Sequence, residues 1–508
     1  MSPEGIKIGS TVGERGLRGR GLPTIAVAAA LGLLVVAAVS AASVLPTPVS
    51  EDPYTNVGPA HKTQVEPDSF AFGQTIVTTA QSGRYFDGGG ASNNVFSTSR
   101  DGGRTWVTGG LPGTTVNAQP PGPYPRISDP TVAYDPEHDV WLAQGLAIEG
   151  GQGQDVIVNR STDGGLTWSN PVIVAASPGT FWDKTWIACD VWPQSPHYGN
   201  CYSQWDDNGL GNQMMMSTST DGGLTWSAPQ SPSTPSGLGG QPVVLPNGTV
   251  VVPYTANYSS IRSFRSTNGG ASWEPGVFVA SQSQHFVAGG VRIHPLPSAE
   301  VDGAGRVYVA WQDCQFRAGC SSNDIVMSTS TDGQIWTPKT RIPIDPVGST
   351  VDHFLPGIGV DRATSGSGAH IGLGYYYYPV SNCGSSCQLT YGFVSSLDGG
   401  STWSAPTQVS PPMNPQWTAN TNQGYMVGDY TSTSFTGDGK AHTVYAYAKP
   451  PAGRTSCYPT NTGCHQRMAK ATFDITDPPG PLVRARRDTV RYWPPRRPED
   501  ALYYPRTD

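Results

Sequence analysis

The sequence predicts an all-β chain made of four-stranded units that repeat and close into a β-propeller. Three observations carry this. A short box recurs six times at a loosely fixed interval. Between the boxes the chain reads as short strands bounded by turn residues. The composition is turn-rich and poor in charge, with 62 Gly and 46 Pro in 508 residues and 14% charged residues, which disfavours long helices and coiled coils.

The box is S-x-D-x-G-x-x-W in outline. Its copies are SRDGGRTW at 99–106, STDGGLTW at 161–168 and again at 219–226, STNGGASW at 266–273, STDGQIW at 330–336 and SLDGGSTW at 396–403. The Asp or Asn stands at 101, 163, 221, 268, 332 and 398, so the steps are 62, 58, 47, 64 and 66 residues. Such self-similarity marks a repeat architecture. The acid or amide can accept backbone N–H bonds within a turn. The Gly pair supplies positive φ. Trp then opens the next strand with a large apolar face that needs burial. β-Branched or aromatic runs such as NNVFSTS and DIVMSTS precede most copies. Each box is therefore a hairpin turn between two strands.

Two more strands lie upstream of each hairpin. In the second unit they are PTVAYD and VWLAQGLAI, in the third KTWIACD and NCYSQWDD, in the fifth LPSAEVD and RVYVAWQD, in the sixth LPGIGVD and HIGLGYYYY. Four strands per repeat form the blade of a propeller, whose radial closure protects its edges. After the sixth box, GYMVGDYTSTSF, AHTVYAYAK and QRMAKATFDI read as three strands of a further blade without a box. Its fourth strand is expected from the start of the folded chain, around residues 54–65. That gives seven blades, or six if the last segment merges with the first unit. The propeller is assigned to residues 55–475.

Residues 1–20 are basic, with Lys7, Arg15, Arg18 and Arg20, and residues 21–46 form an apolar run. Two readings stay open: a signal peptide cut near the small residues 40–43, or a retained signal-anchor helix with its basic side in the cytoplasm. Either exports the rest, secreted or anchored, and touches the membrane only through this segment. Residues 476–508 are Pro- and Arg-rich without periodicity and read as a disordered tail. The eight cysteines, Cys189, Cys201, Cys314, Cys320, Cys383, Cys387, Cys457 and Cys464, fall into four sequence-local pairs. That fits disulfides in an oxidising compartment. CGSSC at 383–387 lacks a second pair or a His doublet to complete a zinc pattern, so no metal is expected. The net charge of -7 is mild and no basic stripe crosses the central region, which argues against nucleic acid. No cofactor is expected, and the chain is expected to be a monomer.

The box is the Asp-box, or bacterial neuraminidase repeat. Over residues 55–475 the chain resembles the sialidase-like superfamily of β-propellers. The segments SDPTVAYDPEHDVWLAQ, DKTWIACDVWPQSPHYGNCYSQWDD and PSAEVDGAGRVYVAW resemble a bacterial group of its exported members. The resemblance implies boxes at the rim, away from the funnel. Of function it implies less, because Asp-boxes also occur in other glycoside hydrolases, in receptors and in assembly factors, and fold does not settle function. It implies action on, or binding of, extracellular glycans, by exo-sialidase-type hydrolysis at the funnel or by non-catalytic capture of a glycan or protein.

Residues just before the innermost strands should line one mouth of the funnel, where ligand sites prefer to form. They are Arg126, Ser128 and Asp129 in YPRISDP, Asp183 and Lys184 in FWDKTW, Gln241, Arg292 and His294 in GGVRIHP, Asp352 and His353 in VDHFLP, and Asp429 and Tyr430 in VGDYTS. Sialidases hold the substrate carboxylate with three arginines, attack with a Tyr paired with Glu, and use Asp as acid/base. Arginine matches a carboxylate in bidentate fashion, and a Tyr nucleophile needs a base. Carried over, Arg126 and Arg292 would be two of the arginines, with Arg84 or Arg262 as the third. Tyr430 would be the nucleophile with Glu300 as partner, and Asp129 or Asp183 the acid. Lys184, Gln241, Asp352, His353 and Asp429 would complete the substrate-binding ring. The plainer reading of the same ring is turn caps and ion pairs between blades. DPEHD at 135–139 reads as an acidic turn rather than a calcium loop. The four tyrosines at 375–378 read as strand, packed in the core or open to sugar stacking on alternate faces.

Overall fold

The computed structural model describes residues 46–232, 235–457, 463–475 and 489–492. The basic segment and all but the last residue of the apolar run expected at 1–46 lie outside the described residues. Among the described residues no helix is long and apolar enough to cross a membrane.

The described chain is all-β, with short 3-10 turns between its strands. The first unit comprises Ala60–Phe72, Thr75–Arg84, Ala91–Ser99 and Thr105–Gly110, and the second Arg126–Asp135, Val140–Glu149, Gln152–Ser161 and Val172–Ala176. The third has Trp182–Cys189, Cys201–Asp207 and Gln213–Ser219, with a bridge from Met216 to Gln230 in place of a fourth strand. Single ladder pairs, Ala91 with Ile127 and Trp182 with Gly153, join these three. Next come four-stranded sheets opened by Val243–Val244, by Ser298–Val301 and by Asp352–Val360. The last sheet runs Ser432–Phe435, Lys440–Ala448, Gln466–Asp474 and then Thr47–Ser50.

The last sheet therefore does borrow its outer strand from the start of the folded chain, but from Thr47–Ser50 rather than residues 54–65. Residues 60–72 are instead the innermost strand of the first unit. Their burial explains this: most of that strand is buried, as an axial strand covered on both faces must be. A second difference concerns the tail. Thr489–Tyr492 forms a strand that pairs in parallel with Thr105–Gly110, so part of the segment read as disordered adds to a sheet edge.

The first strands of successive units contact one another in chain order, and that of the last contacts that of the first. The Ser69 and Ser432 hydroxyls bond at 2.9 Å across this last junction. Every one of these strands lines one axial cavity, through Phe70, Val132, Ile187, Val243, Ala299, Ile358 and Ser432.

Each box closes as the sequence predicts. In the third unit, Asp221 accepts from the Leu224 and Thr225 amides at 3.0 and 2.9 Å, and from the Thr225 and Ser219 hydroxyls at 2.6 and 2.9 Å. Ser219 Oγ accepts from the Gly223 amide at 2.9 Å. The second Gly of the box has a further duty. A Cβ on Gly223 would lie 2.9 Å from Leu142 of the preceding unit, and one on Gly165 would lie 2.8 Å from Val77 of its own predecessor. In the first box, a Cβ on Gly103 would lie 3.3 Å from His442 of the last unit. The boxes thus seat each of the first six units on the one before it, the first on the last; the last unit, which has no box, meets the sixth without one.

All eight cysteines are paired, Cys189–Cys201, Cys314–Cys320, Cys383–Cys387 and Cys457–Cys464. Four local disulfides fit an oxidising, extracellular setting.

Candidate functional site

A repeated distortion opens the axis at one end. In four units the innermost strand loses register over two residues, between Val65 and Asp68, Ser128 and Thr131, Asp183 and Trp186, and Phe354 and Gly357. The first skipped residue is left-handed in each case: Glu66 (φ 56), Asp129 (φ 46), Lys184 (φ 53) and Leu355 (φ 53). Pro67, Pro130 and Pro356 follow three of them. Proline suits the place, because the broken ladder has no acceptor for an N–H there. Bulges re-aim side chains, and here they bring Glu66, Asp129 and Lys184 into one charged cluster.

Asp429, three residues before the innermost strand of the last unit, is the hub. Its carboxylate meets Lys184 Nζ at 2.6 Å and takes both terminal nitrogens of Arg292, at 2.8 and 2.9 Å. Arg292 Nε donates to Gln423 Oε1 at 2.7 Å, and its guanidinium is 3.9 Å from Glu66. Glu66 also accepts from Gln81 Nε2, which donates to Ser128 Oγ at 2.9 Å; that hydroxyl donates on to Asp129 at 2.9 Å. Asp183 lies 3.4 Å from Lys184. Asp206 stands directly across the ladder from Asp183 and is buried, with neither oxygen hydrogen-bonded to protein.

Carboxyls outnumber cations in this cluster, and their ionisation separates accordingly. Burial, then the Asp129 and Asp429 carboxylates, pushes Glu66 up to about 8. Burial likewise raises Asp129, against the pull of Lys184, and raises Asp206 well above the usual carboxylate range with help from Asp183. At Asp429 burial acts upward too, but Arg292 and Lys184 more than offset it and hold the carboxyl far below its ordinary value. Asp429 is thus the fixed anion of the group, and Glu66 a carboxyl that keeps its proton near neutrality.

Around the cluster lies a partly open rim. The Asp183 side chain is 29% exposed, whereas that of Asp429 is 0% exposed. Tyr258 and His294 stack with ring centres 5.7 Å apart. Asn257 and Tyr258 are the two central residues of a tight turn, with φ of 51 and 52 and a Ser259 N–H bond to the Ala256 carbonyl at 3.1 Å. Such a turn favours Asn-Gly. Asn257 fits; an aromatic ring at the second position is strained. Lys184, Asp429 and Asp183 act electrostatically on both Tyr258 and His294, which places the stack beside the cluster. The hairpin Ala419–Thr421 with Gly424–Met426 supplies Gln423.

The structure brings Asp129, Asp183, Lys184, Arg292, His294, Asp429 and Tyr430 to this mouth. Tyr430 donates to the Pro130 carbonyl at 3.0 Å and meets the Trp186 ring edge-on at 4.9 Å. Burial, then Glu66, Asp129, Asp68 and Asp429, raises its hydroxyl well above the normal phenol range. Glu300 is placed with Arg362 instead, at 3.6 Å, and lines the axial cavity. Arg126 turns to the 87–90 loop: it donates to the Asp87 and Gly89 carbonyls and lies 3.8 Å over the Tyr85 ring. Of the two arginines offered as a third, Arg84 does come beside Arg292, both contacting Met426 Sδ at 3.2 and 3.5 Å, while Arg262 donates to the Gly276 carbonyl. Gln241 clamps the Ala299 backbone at 3.1 and 3.0 Å. Asp352 accepts from the Asn323 amide at 2.6 Å and faces His285 at 3.3 Å, and His353 approaches the Asn323 carbonyl at 3.3 Å, so both serve a contact between units. Asp324, Asp345 and His353 offer ligand atoms within 4.8 Å of one another. Arg317 and Arg341 already hold those two carboxylates, with Arg317 at 2.5 and 2.7 Å. Cations of the chain itself fill that place.

Sequence reasoning missed Glu66, Gln81, Asp206, Tyr258 and Gln423. Only the E-P dipeptide at 66–67, matching D-P at 129–130, carried a signal.

Fold and mouth together define an Asp-box propeller with a charged plug at one end of its axis. Residues 141–355 match the family described as a BNR repeat-like domain, so the resemblance to the sialidase-like superfamily stands on that domain. Comparison with curated proteins finds no match. Similar solved structures include the intramolecular trans-sialidase from Ruminococcus gnavus, at 14% identity over 84% of this chain and 98% of that chain, with a TM-score of 0.42. The NanB sialidase from Streptococcus pneumoniae is 12% identical over 84% of this chain and 70% of its own, with a TM-score of 0.42. The alpha-L-arabinanase from Penicillium chrysogenum is 13% identical over 85% and 98%, with a TM-score of 0.42. Likeness at this level says nothing of this chain's activity.

Proposed function

We propose that the chain is an exported, seven-bladed Asp-box propeller that holds an extracellular glycan at this mouth without cleaving it. The cyclic contact order of the innermost strands supports the blade count. The apolar run at 21–46 and the four disulfides support export. Binding rests chiefly on Tyr258: a bulky ring kept in a left-handed turn, stacked on His294, beside a rim of carboxylate and amide groups. Strained residues gather at ligand sites, and an aromatic face with a few polar groups is how a concave site takes the apolar face of a sugar ring. Binding is favoured over hydrolysis because Glu66, Asp129 and Asp429 are all buried. A general acid must come within hydrogen-bond reach of the leaving oxygen, and Asp183 alone of these acids is substantially open.

The test is retention of the purified exported portion on a glycan array. Tyr258→Gly relieves the turn, so its melting temperature should hold or rise, while binding falls by about tenfold, the size of a lost aromatic contact. A fluorogenic sialoside should not be cleaved. Unchanged binding by the variant, or sialoside cleavage that Tyr430→Phe abolishes, overturns the proposal.

A further inference from the structure

We infer that Asp429 fills the anion position of the mouth as a built-in counter-ion, so that the mouth takes uncharged sugars and rejects carboxylate-bearing ones. The inference rests on the glycan reading above and names its substrate class. Arg292 and Lys184 are the cations that hold the hub of the cluster. Asp429 takes the two terminal nitrogens of Arg292 at 2.8 and 2.9 Å, and Gln423 takes Nε at 2.7 Å. Lys184 is held by Asp429 at 2.6 Å and faces Asp183 at 3.4 Å. Arg84, behind them, donates to the Tyr85 and Gly90 carbonyls at 2.9 and 2.8 Å.

An arriving carboxylate would have to displace Asp429. That side chain is fully buried and is held by Arg292 and Lys184 together, so swinging out into solvent would break both contacts. The newcomer would also pass the open carboxylate of Asp183 with no unengaged cation among the described residues of the mouth to meet it, and like charges brought together disfavour one another. An uncharged sugar meets none of this. Its hydroxyls can bond to Asp183 and the Gln423 amide while a ring face rests on the Tyr258–His294 stack.

The experiment titrates the exported portion with lactose and with sialyllactose, which differ by one carboxylate-bearing sugar. Wild type should bind lactose at least about tenfold more tightly. Asp429→Asn should gain sialyllactose affinity by about tenfold, because Arg292 and Lys184 lose their internal partner. If that buried change unfolds the protein, Gln423→Ala, at the exposed tip of its hairpin, frees Arg292 Nε; it removes a contact common to both sugars and should still raise the ratio of sialyllactose to lactose affinity a few-fold. Sialyllactose binding as tight as that of lactose, and lost in Tyr258→Gly, overturns the inference but leaves the glycan reading standing. Binding of neither sugar, nor of any other glycan on the array, removes both.

Discussion

At the residue scale, Glu66 ties distortion, charge and stability together. Its bulge puts a carboxyl where burial and two neighbouring acids favour the protonated form. A folded-state value near 8, against about 4.3 in the unfolded chain, has a definite sign. The stability Glu66 contributes is fully present below about pH 4 and is lost as pH rises through 8. Asp68, which accepts from the Val132 amide at 2.8 Å and is raised to about 7 chiefly by burial, acts in the same direction. The melting temperature should therefore fall between pH 6 and 8.5, and Glu66→Gln should flatten part of that slope. An unchanged slope would assign the whole effect to Asp68 and its neighbours. None of this was legible in the sequence. Asp129, Asp183, Lys184, Arg292 and Asp429 could be named because each lies near the start of a strand whose phase the boxes set. Glu66 was hidden because its strand was read as the outer closing strand of the last unit. Tyr258 was hidden because nothing local distinguishes a turn that keeps an aromatic from one that merely tolerates it.

At the element scale, the box was the most legible feature, since it is a local hydrogen-bond program written in consecutive residues. Its acid is held ionised: burial alone would raise Asp221, but the Thr225 hydroxyl and amide, Ser219 and the Leu224 amide bring it below its usual value. Asp101, Asp163, Asp332 and Asp398 are lowered in the same way. Their contribution is present above about pH 4, the unfolded value, and fades as pH falls through the folded ones. Asp221→Ala removes four bonds and should cost about 2 kcal/mol in chemical denaturation. Asp221→Asn should cost less, because Asn268 makes the equivalent bond to the Ser272 amide at 3.0 Å and donates to its hydroxyl. Equal losses for the two variants would mean that charge, not hydrogen bonding, sustains the turn. The sequence could not reveal the second role of the box. Close approach of Gly223 to Leu142 is a fact about the neighbouring unit, and turn chemistry is silent on it.

At the scale of the whole molecule, the last sheet joins the two ends of the described fold. Val49 is 0% exposed and packs with Trp106 and Ile76 of the first unit and with Val444 and Met468 of the last. Val49→Asp should lower the melting temperature by about 3 °C or more for a buried uncompensated charge, on the order of 3 kcal/mol or above, and should raise protease sensitivity at both ends of the fold. Sensitivity confined to the first unit would mean that the closing strand is an accessory. That the strand comes from the start of the folded chain was legible, because radial closure demands a donor. Its place at 47–50 was not, since TPVS carries no strand periodicity of its own. The same arrangement makes the ring a test of completeness during synthesis. The strand at 47–50 is made roughly four hundred residues ahead of its partner at 466–474, so until that partner arrives one sheet edge waits without a mate. A chain cut short in between would keep that edge open to any passing strand, and truncated products should cluster with one another more than the full chain does.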